Sequence, residues 1–181
     1  MATVYTVQRF TPLLVEAARP CRHTVGGRWF VGETYVKVAG VWRYVYRAVD
    51  QNGQVIDVFV SKKRDTAAAS KFFSSAITAH GEPVEVTTDK SPVLAKTIRE
   101  LVPAAHHDTA QYANNRVEND HGRLKARLRL LRGLQTDRTA SVIIRGHAFM
   151  QNLRRGHYEL GTQALPGLTV AAAFDELARA V

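Results

Sequence analysis

The chain has one cysteine, Cys21, in 181 residues, which excludes an internal disulfide and fits a reducing compartment. Cys21 reads as an ordinary small side chain. Long apolar runs are also missing: no stretch approaches the ~20 residues that a membrane span needs. The opening MATVYTVQRFTPLL has neither the basic start nor the uninterrupted apolar core of a secretory signal. These shortages set the expectation of a cytoplasmic protein with no membrane partner. Acidic residues are scarce as well. Sixteen Asp and Glu face twenty-five Lys and Arg, for a net charge of +9 and a pI near 10.1. Such an excess favours a polyanionic partner, though it also serves solubility alone.

What is present is ordinary for a soluble globular protein: 45% hydrophobic and 23% charged residues. A chain of this length is expected to form one domain burying roughly two-thirds of its unfolded surface. The first 28 residues read as an irregular lead-in, with a helical turn or two in VYTVQRF stopped by Pro12. From Trp29 the pattern is extended. Residues 29–38, VWRYVYRAVD and VIDVFVS are rich in β-branched and aromatic side chains, and Asn52-Gly53 supplies the hairpin turn between the last two. A helix follows over residues 66–80, capped by Asp65 or Thr66 and ended by Gly81. VEVTTD is a short strand finishing on Asp89. Pro92 then opens a second helix.

After the less regular PAAHHDTAQYA, a long basic helix runs from Asn114-Asn115 through Arg132 to Gly133, with Val117, Leu124, Leu128 and Leu131 on one face. Another spans approximately Thr139–Arg155 on a stripe of Val142, Ile143, Phe149, Met150 and Leu153, and a short terminal helix fits the tail. The order β-β-β-α-β-α-(β)-α-α predicts an α/β fold. Specifically, it is the ribonuclease H-like mixed sheet: a three-stranded antiparallel meander, extended by a parallel strand and flanked by helices.

Three positions stand out in that layout: Gly32 inside the first strand, Asp89 at the end of a strand, and Glu118 in the first turn of the long helix. In a ribonuclease H-like sheet they converge. Carboxylates there would hold two divalent cations, one activating the attacking oxygen of a phosphodiester and one stabilising the leaving oxygen. Each also has a plainer reading. Asp89 before Lys90-Ser91-Pro92 can simply shape a turn or cap a helix. Glu118, three residues after Asn115, nearly completes a capping box. Glu118 and His121 have the Glu-x-x-His spacing of metal ligands on a helix, but the second such motif of a di-iron bundle is absent. His106-His107 lacks partners at finger-like spacing. Gly32 weakens a strand, and so marks a bulge, a close backbone approach or a lost functional side chain.

The long helix places Arg123, Lys125, Arg127, Arg129 and Arg132 on about three turns, directly after Glu118. They read as a solvated basic face or as a track for a phosphate backbone. Trp42, Tyr44 and Tyr46 can stack on bases, although packing is the favoured reading.

TTDKSP, QYANNRVENDHGRLKARLR, GHAFMQNLRRGHYELG and RWFVGETYVKVAGVWRYVYRAVDQNGQVIDVFVS together resemble the DDE transposases of bacterial and archaeal insertion sequences. The resemblance is to the group typified by short cointegrate-forming elements, and runs from about Val4 to about Gly161. It implies a ribonuclease H-like core, a two-metal site for Mg²⁺ or Mn²⁺, and cleavage and joining of DNA at element ends and target. It also implies a homo-oligomer associated with chromosomal or plasmid DNA. The family's second catalytic Asp falls on Asp89 and its Glu on Glu118, as catalytic residues and metal ligands. Its first Asp belongs to a DETYVKV motif that reads GETYVKV here, so that ligand falls on Gly32. Glu33 should face away from the site unless a bulge rotates it back.

On this resemblance residues 1–28 are a remnant of the N-terminal DNA-binding region, 29–160 the catalytic core and 161–181 a tail of unassigned role. The expected function is an N-truncated transposase impaired in strand transfer by Gly32. The alternatives are a non-catalytic DNA-binding regulator of an intact transposase and a decaying gene fragment.

Overall fold

The computed structural model describes residues 2–110, 113–129, 134–165 and 167–180. Five strands, β1 (Arg28–Val38), β2 (Val41–Asp50), β3 (Val55–Ser61), β4 (Glu85–Thr87) and β5 (His106–Asp108), form one sheet in the order β3-β2-β1-β4-β5. The β1–β2 and β2–β3 pairs are antiparallel, whereas β1–β4 and β4–β5 are parallel. This is the expected meander with its parallel extension. Asp50 fixes the β2–β3 turn, its Oδ1 accepting from the backbone N–H of Asn52 (2.9 Å) and Gln54 (2.8 Å).

Six α-helices are described: α1 (Ala2–Ala18), α2 (Thr66–His80), α3 (Pro92–Leu101), α4 (Asn115–Arg129), α5 (Asp137–Arg154) and α6 (Thr169–Ala180). Among the described residues, no helix is long and apolar enough to cross a membrane. Asp65 caps α2, its carboxylate accepting from the Ala68 N–H at 2.9 Å. The strand period of two assigns the sheet's faces. Trp29 and Val31 pack with Phe72, Phe73, Leu94 and Ile98 of α2 and α3. Phe30 points the other way and clusters with Val49 and Val117 of α4. The two helix layers therefore cover opposite faces of β1.

The chain divides into two compact units, residues 25–141 and residues 1–24 with 142–181. Pro12 does not stop the first helix, which continues to Ala18. An interior proline costs ~3 kcal/mol. The offsetting contacts are remote in sequence: Leu14, Val15 and Ala18 pack with Phe149, Leu153 and Leu177 of α5 and α6. In α5 Ala140, Ile144 and Leu153 are fully buried and Phe149 is buried, whereas Val142, Ile143 and Met150 are only partly buried. Strand β4 ends at Thr87, two residues before Asp89. Leu131, Arg132 and Gly133 of the predicted helix end lie outside the described residues.

Candidate functional site

Strand β1 runs through Gly32 without interruption: Val31 pairs with Ala48, Gly32 with Arg47 and Glu33 with Tyr46. No bulge occurs there. Gly32 shares the face of Phe30, and a Cβ built on it would lie 2.9 Å from Val117 Cγ1 and 3.0 Å from His121 Cε1. The glycine is thus a point of close approach between β1 and α4. Glu33 faces the opposite layer, where it pairs with Arg64 and helps push the Tyr46 hydroxyl, already raised by burial, up to about 12.

Asp89 follows β4 at the carboxyl edge of the sheet. The parallel register ends where Phe30 pairs with Thr87, and Asp89 lies two residues beyond that end of β4. Its Oδ1 accepts from the Ser91 N–H at 3.1 Å, and Ser91 leads into Pro92 at the start of α3. The turn-shaping role is therefore real. It leaves the second carboxylate oxygen available for other work.

Glu118 is the fourth residue of α4, and its N–H donates to the Asn114 carbonyl at 3.3 Å. Asn114 is therefore the cap residue, and the Asn115–Glu118 capping box does not form. The Glu118 side chain is 59% exposed. Partial burial and the negative charge of Asp89 hold its carboxyl above the usual range, against the pull of Lys125. The Asp89 charge thus acts on the Glu118 carboxyl. One turn on, His121 is 3% exposed, with Nδ1 3.6 Å from Glu118 Oε1. Burial and the Arg47 charge lower its pKa to about 4. Neither ring nitrogen has a hydrogen-bond partner among the described residues.

Two further contacts hold α4 in place and escape a sequence reading centred on its leucines. Arg47, fully buried on β2, pairs with buried Asp120. Asn114 Nδ2 donates to the Val31 carbonyl at 3.0 Å. A signal for the first was present: Val117, Asp120, His121 and Leu124 share helical spacing, which places an acid and an imidazole on the apolar stripe. The facing position on β2, Arg47, is a cation set between the apolar residues Val45, Tyr46, Ala48 and Val49.

The basic run divides by position. Arg123 and Arg127 are exposed, whereas Lys125 folds over the Tyr35 ring, its Nζ 4.7 Å from the centroid. Arg132 and the side chain of Arg129 lie outside the described residues. Arg116, on the same helix, donates to the Gln51 carbonyl at 2.6 Å. Of the strand aromatics, Tyr46 is fully buried and Tyr44 packs against the core, as favoured from sequence. Trp42 does not follow them and stays exposed.

Among the described residues, no three His, Cys, Asp or Glu side chains are grouped to hold a metal ion. Asp89 and Glu118 are oxygen donors of the type that suits Mg²⁺ or Mn²⁺. At the third position Gly32 offers no side chain, and Val117 and His121 fill the space beside it. The residues present therefore do not fit a three-carboxylate, two-cation centre. His107, the other noted histidine site, has Nε2 2.8 Å from Thr88 Oγ1 and serves the strand edge.

A family model described as a DDE domain, of the IS240 transposase type, matches residues 26–157. The transposase for insertion sequence-like element IS431mec of Staphylococcus aureus N315 is 36% identical over 133 residues, covering 70% of this chain and 59% of that protein. The transposase for insertion sequence element IS257 in transposon Tn4003 of the same species matches with the same identity and coverage. The chain thus spans 59% of the length of the curated relatives it matches. In fold it is similar to the HTLV-2 integrase catalytic core domain in complex with magnesium. The dimeric form gives a TM-score of 0.55 at 21% identity, covering 83% of this chain and 97% of that one. The trimeric form gives 0.53 at 17% identity, covering 84% and 99%.

Proposed function

Because the chain belongs to the DDE-domain transposases of insertion sequences, we propose that it is a DNA-binding transposase core impaired in strand transfer. One observation carries this reading: the β1 position that faces α4 is Gly32, where a Cβ would lie 2.9 Å from Val117 Cγ1 and 3.0 Å from His121 Cε1. Asp89 and Glu118 are the proposed catalytic and metal-binding carboxylates. Arg123, Lys125 and Arg127, with Arg129 and Arg132 further along, are the proposed phosphate contacts. The partners are DNA at the element ends and target and other copies of the chain, in the cytoplasm. When bound, Mg²⁺ or Mn²⁺ would supply charge stabilisation at a phosphodiester. Losing one carboxylate forfeits part of several kcal/mol of that stabilisation, and activity falls by roughly a thousandfold.

A strand-transfer assay on DNA carrying the element ends, in Mg²⁺ or Mn²⁺, tests the reading. We expect at most trace joining by this chain, and recovery in Gly32→Asp or in Gly32→Asp with Val117→Ala. Robust joining that Asp89→Ala abolishes would remove the impairment.

An unbroken β1 favours a second role for the same surface, as a non-catalytic antagonist of an intact relative. Without a carboxylate at position 32 there is less repulsion both within the site and toward DNA, and the sheet keeps its register. Mixed with an active transposase, the chain should lower transposition. Unchanged transposition at several-fold excess would eliminate that role.

A further inference from the structure

The hairpin of β1 and β2 carries two large aromatic side chains that the sheet does not bury. Tyr35 is 54% exposed and Trp42 49%, whereas Tyr46 further along the same face is fully buried. Tyr35 pairs with Tyr44 and Lys37 with Trp42, which makes Tyr35 and Trp42 diagonal cross-strand neighbours. Their rings meet edge to face at 88°, with centroids 4.9 Å apart. Each ring also carries an ammonium group. Lys37 Nζ lies 4.9 Å from the Trp42 centroid and Lys125 Nζ 4.7 Å from that of Tyr35. Lys125 comes from α4, two turns beyond Glu118, so the cation over the Tyr35 ring and Glu118 share one helix.

Core packing does not explain two half-exposed rings, and each ring is worth more buried than wet. The occupant must therefore offer flat apolar faces together with negative charge. A nucleic acid strand with bases out of the duplex offers both, since every base has a π face and a phosphate beside it. A second copy of the chain fits the patch less well. Two half-exposed rings leave on the order of 200 Å² to cover, against about 800 Å² per partner in a stable protein interface. Two copies at +9 each also repel.

We propose that Tyr35 and Trp42 form a stacking platform for unpaired DNA bases, with Lys37 and Lys125 turning from the rings to the adjoining phosphates. The proposal rests on the DNA-binding reading above and adds a place where the strand is held open. Stacking of this kind is indifferent to base identity, so the platform serves strand separation and not sequence choice.

The test compares a fully paired duplex with a single-stranded thymidine oligonucleotide of the same length, by filter binding and tryptophan fluorescence. Trp29 is 1% exposed, so quenching on addition of the single strand reports Trp42. Trp42→Ala and Tyr35→Ala should each weaken single-strand binding roughly five- to 150-fold and leave duplex binding nearly unchanged. Trp42→Phe should keep the affinity and lose the quenching, which separates a stacking ring from a structural one. Lys37→Ala should reduce the salt dependence by about one released counterion. Equal weakening on both DNAs overturns the platform alone. Binding to neither DNA by the unaltered chain overturns the DNA-binding reading and the platform with it. If the alanine variants shift sedimentation toward a smaller assembly without changing DNA affinity, the patch is an interface between copies and the platform is overturned.

Discussion

Gly32 on β1 and Val117 on α4 approach so closely that a Cβ on the glycine would lie 2.9 Å from Val117 Cγ1. Val117 is fully buried, and a β-branched side chain has little rotamer freedom with which to retreat. The helix that carries Glu118 is thereby seated against bare backbone at Gly32, the β1 position without a side chain.

Gly32→Asp should therefore destabilise the chain by about 1–3 kcal/mol through overpacking. Val117→Ala alone loses buried methyl groups and destabilises too. Combined, the two should fall short of their sum by about 0.5 kcal/mol or more, because each relieves the other. Urea unfolding of the four chains gives the cycle, and additivity would mean that the site already has room.

Asp89→Asn should lower the Glu118 pKa part of the way toward its ordinary value. Burial is the larger cause of the elevation and persists in the variant, whereas the Asp89 charge is removed. Carboxyl-carbon NMR titration in chelated buffer reads the change. A Glu118 titration that ignores Asp89→Asn would mean that the two carboxylates do not share a space.

The sheet order was legible in the sequence because strands and turns are local signals. The β-branched runs, Asn52-Gly53 and the Asp65 cap each act within a few residues. Gly32, Asp89 and Glu118 stand out in the sequence by their strand, strand-end and helix-start positions and through the family motifs. The anchoring of α4 was not read, because Arg47 and Asp120 are 73 residues apart and pair only once the sheet exists. Pro12 misled for the same reason: its helix is held by residues more than a hundred positions away. Exposure of Trp42 could not be separated from burial of Tyr46, since both occupy the same face of one strand.

His121 gives the stability a pH dependence of known sign. Its folded pKa, about 4, is lower than the usual 6.5, so between those values the unfolded chain binds a proton that the folded chain refuses. Stability is full above pH 6.5 and is lost as pH falls toward 4, by about 3 kcal/mol at most. Glu118, with a raised pKa, acts in the opposite direction, but its side chain is 59% exposed and its effect is smaller. Urea midpoints from pH 7 to pH 4.5 in chelated buffer should fall in the parent and fall less in His121→Leu. Parallel curves would place the dependence elsewhere.

Breaking the Arg47–Asp120 pair should be far worse than replacing it. Both side chains are buried, so Asp120→Ala leaves a guanidinium in the core and should cost about 3–5 kcal/mol. Arg47→Met with Asp120→Leu removes both charges and should recover most of that loss. Comparable losses in the single and double variants, measured by thermal melting, would show that the pair is solvated.

In the other compact unit, a Cβ on Gly146 of α5 would lie 2.8 Å from Thr11 Cγ2 of α1. On an open helix face, Gly→Ala stabilises by about 1 kcal/mol. Here Gly146→Ala should destabilise, because the added methyl group meets the half-buried Thr11, which a proline at position 12 helps to fix in place. Thr11→Ser deletes the opposing methyl group. In that background Gly146→Ala should reverse sign and stabilise by up to about 1 kcal/mol, the ordinary helix preference restored. Urea midpoints of the four chains decide it: a stabilising Gly146→Ala in the parent would mean that α1 and α5 are not in close contact at this point.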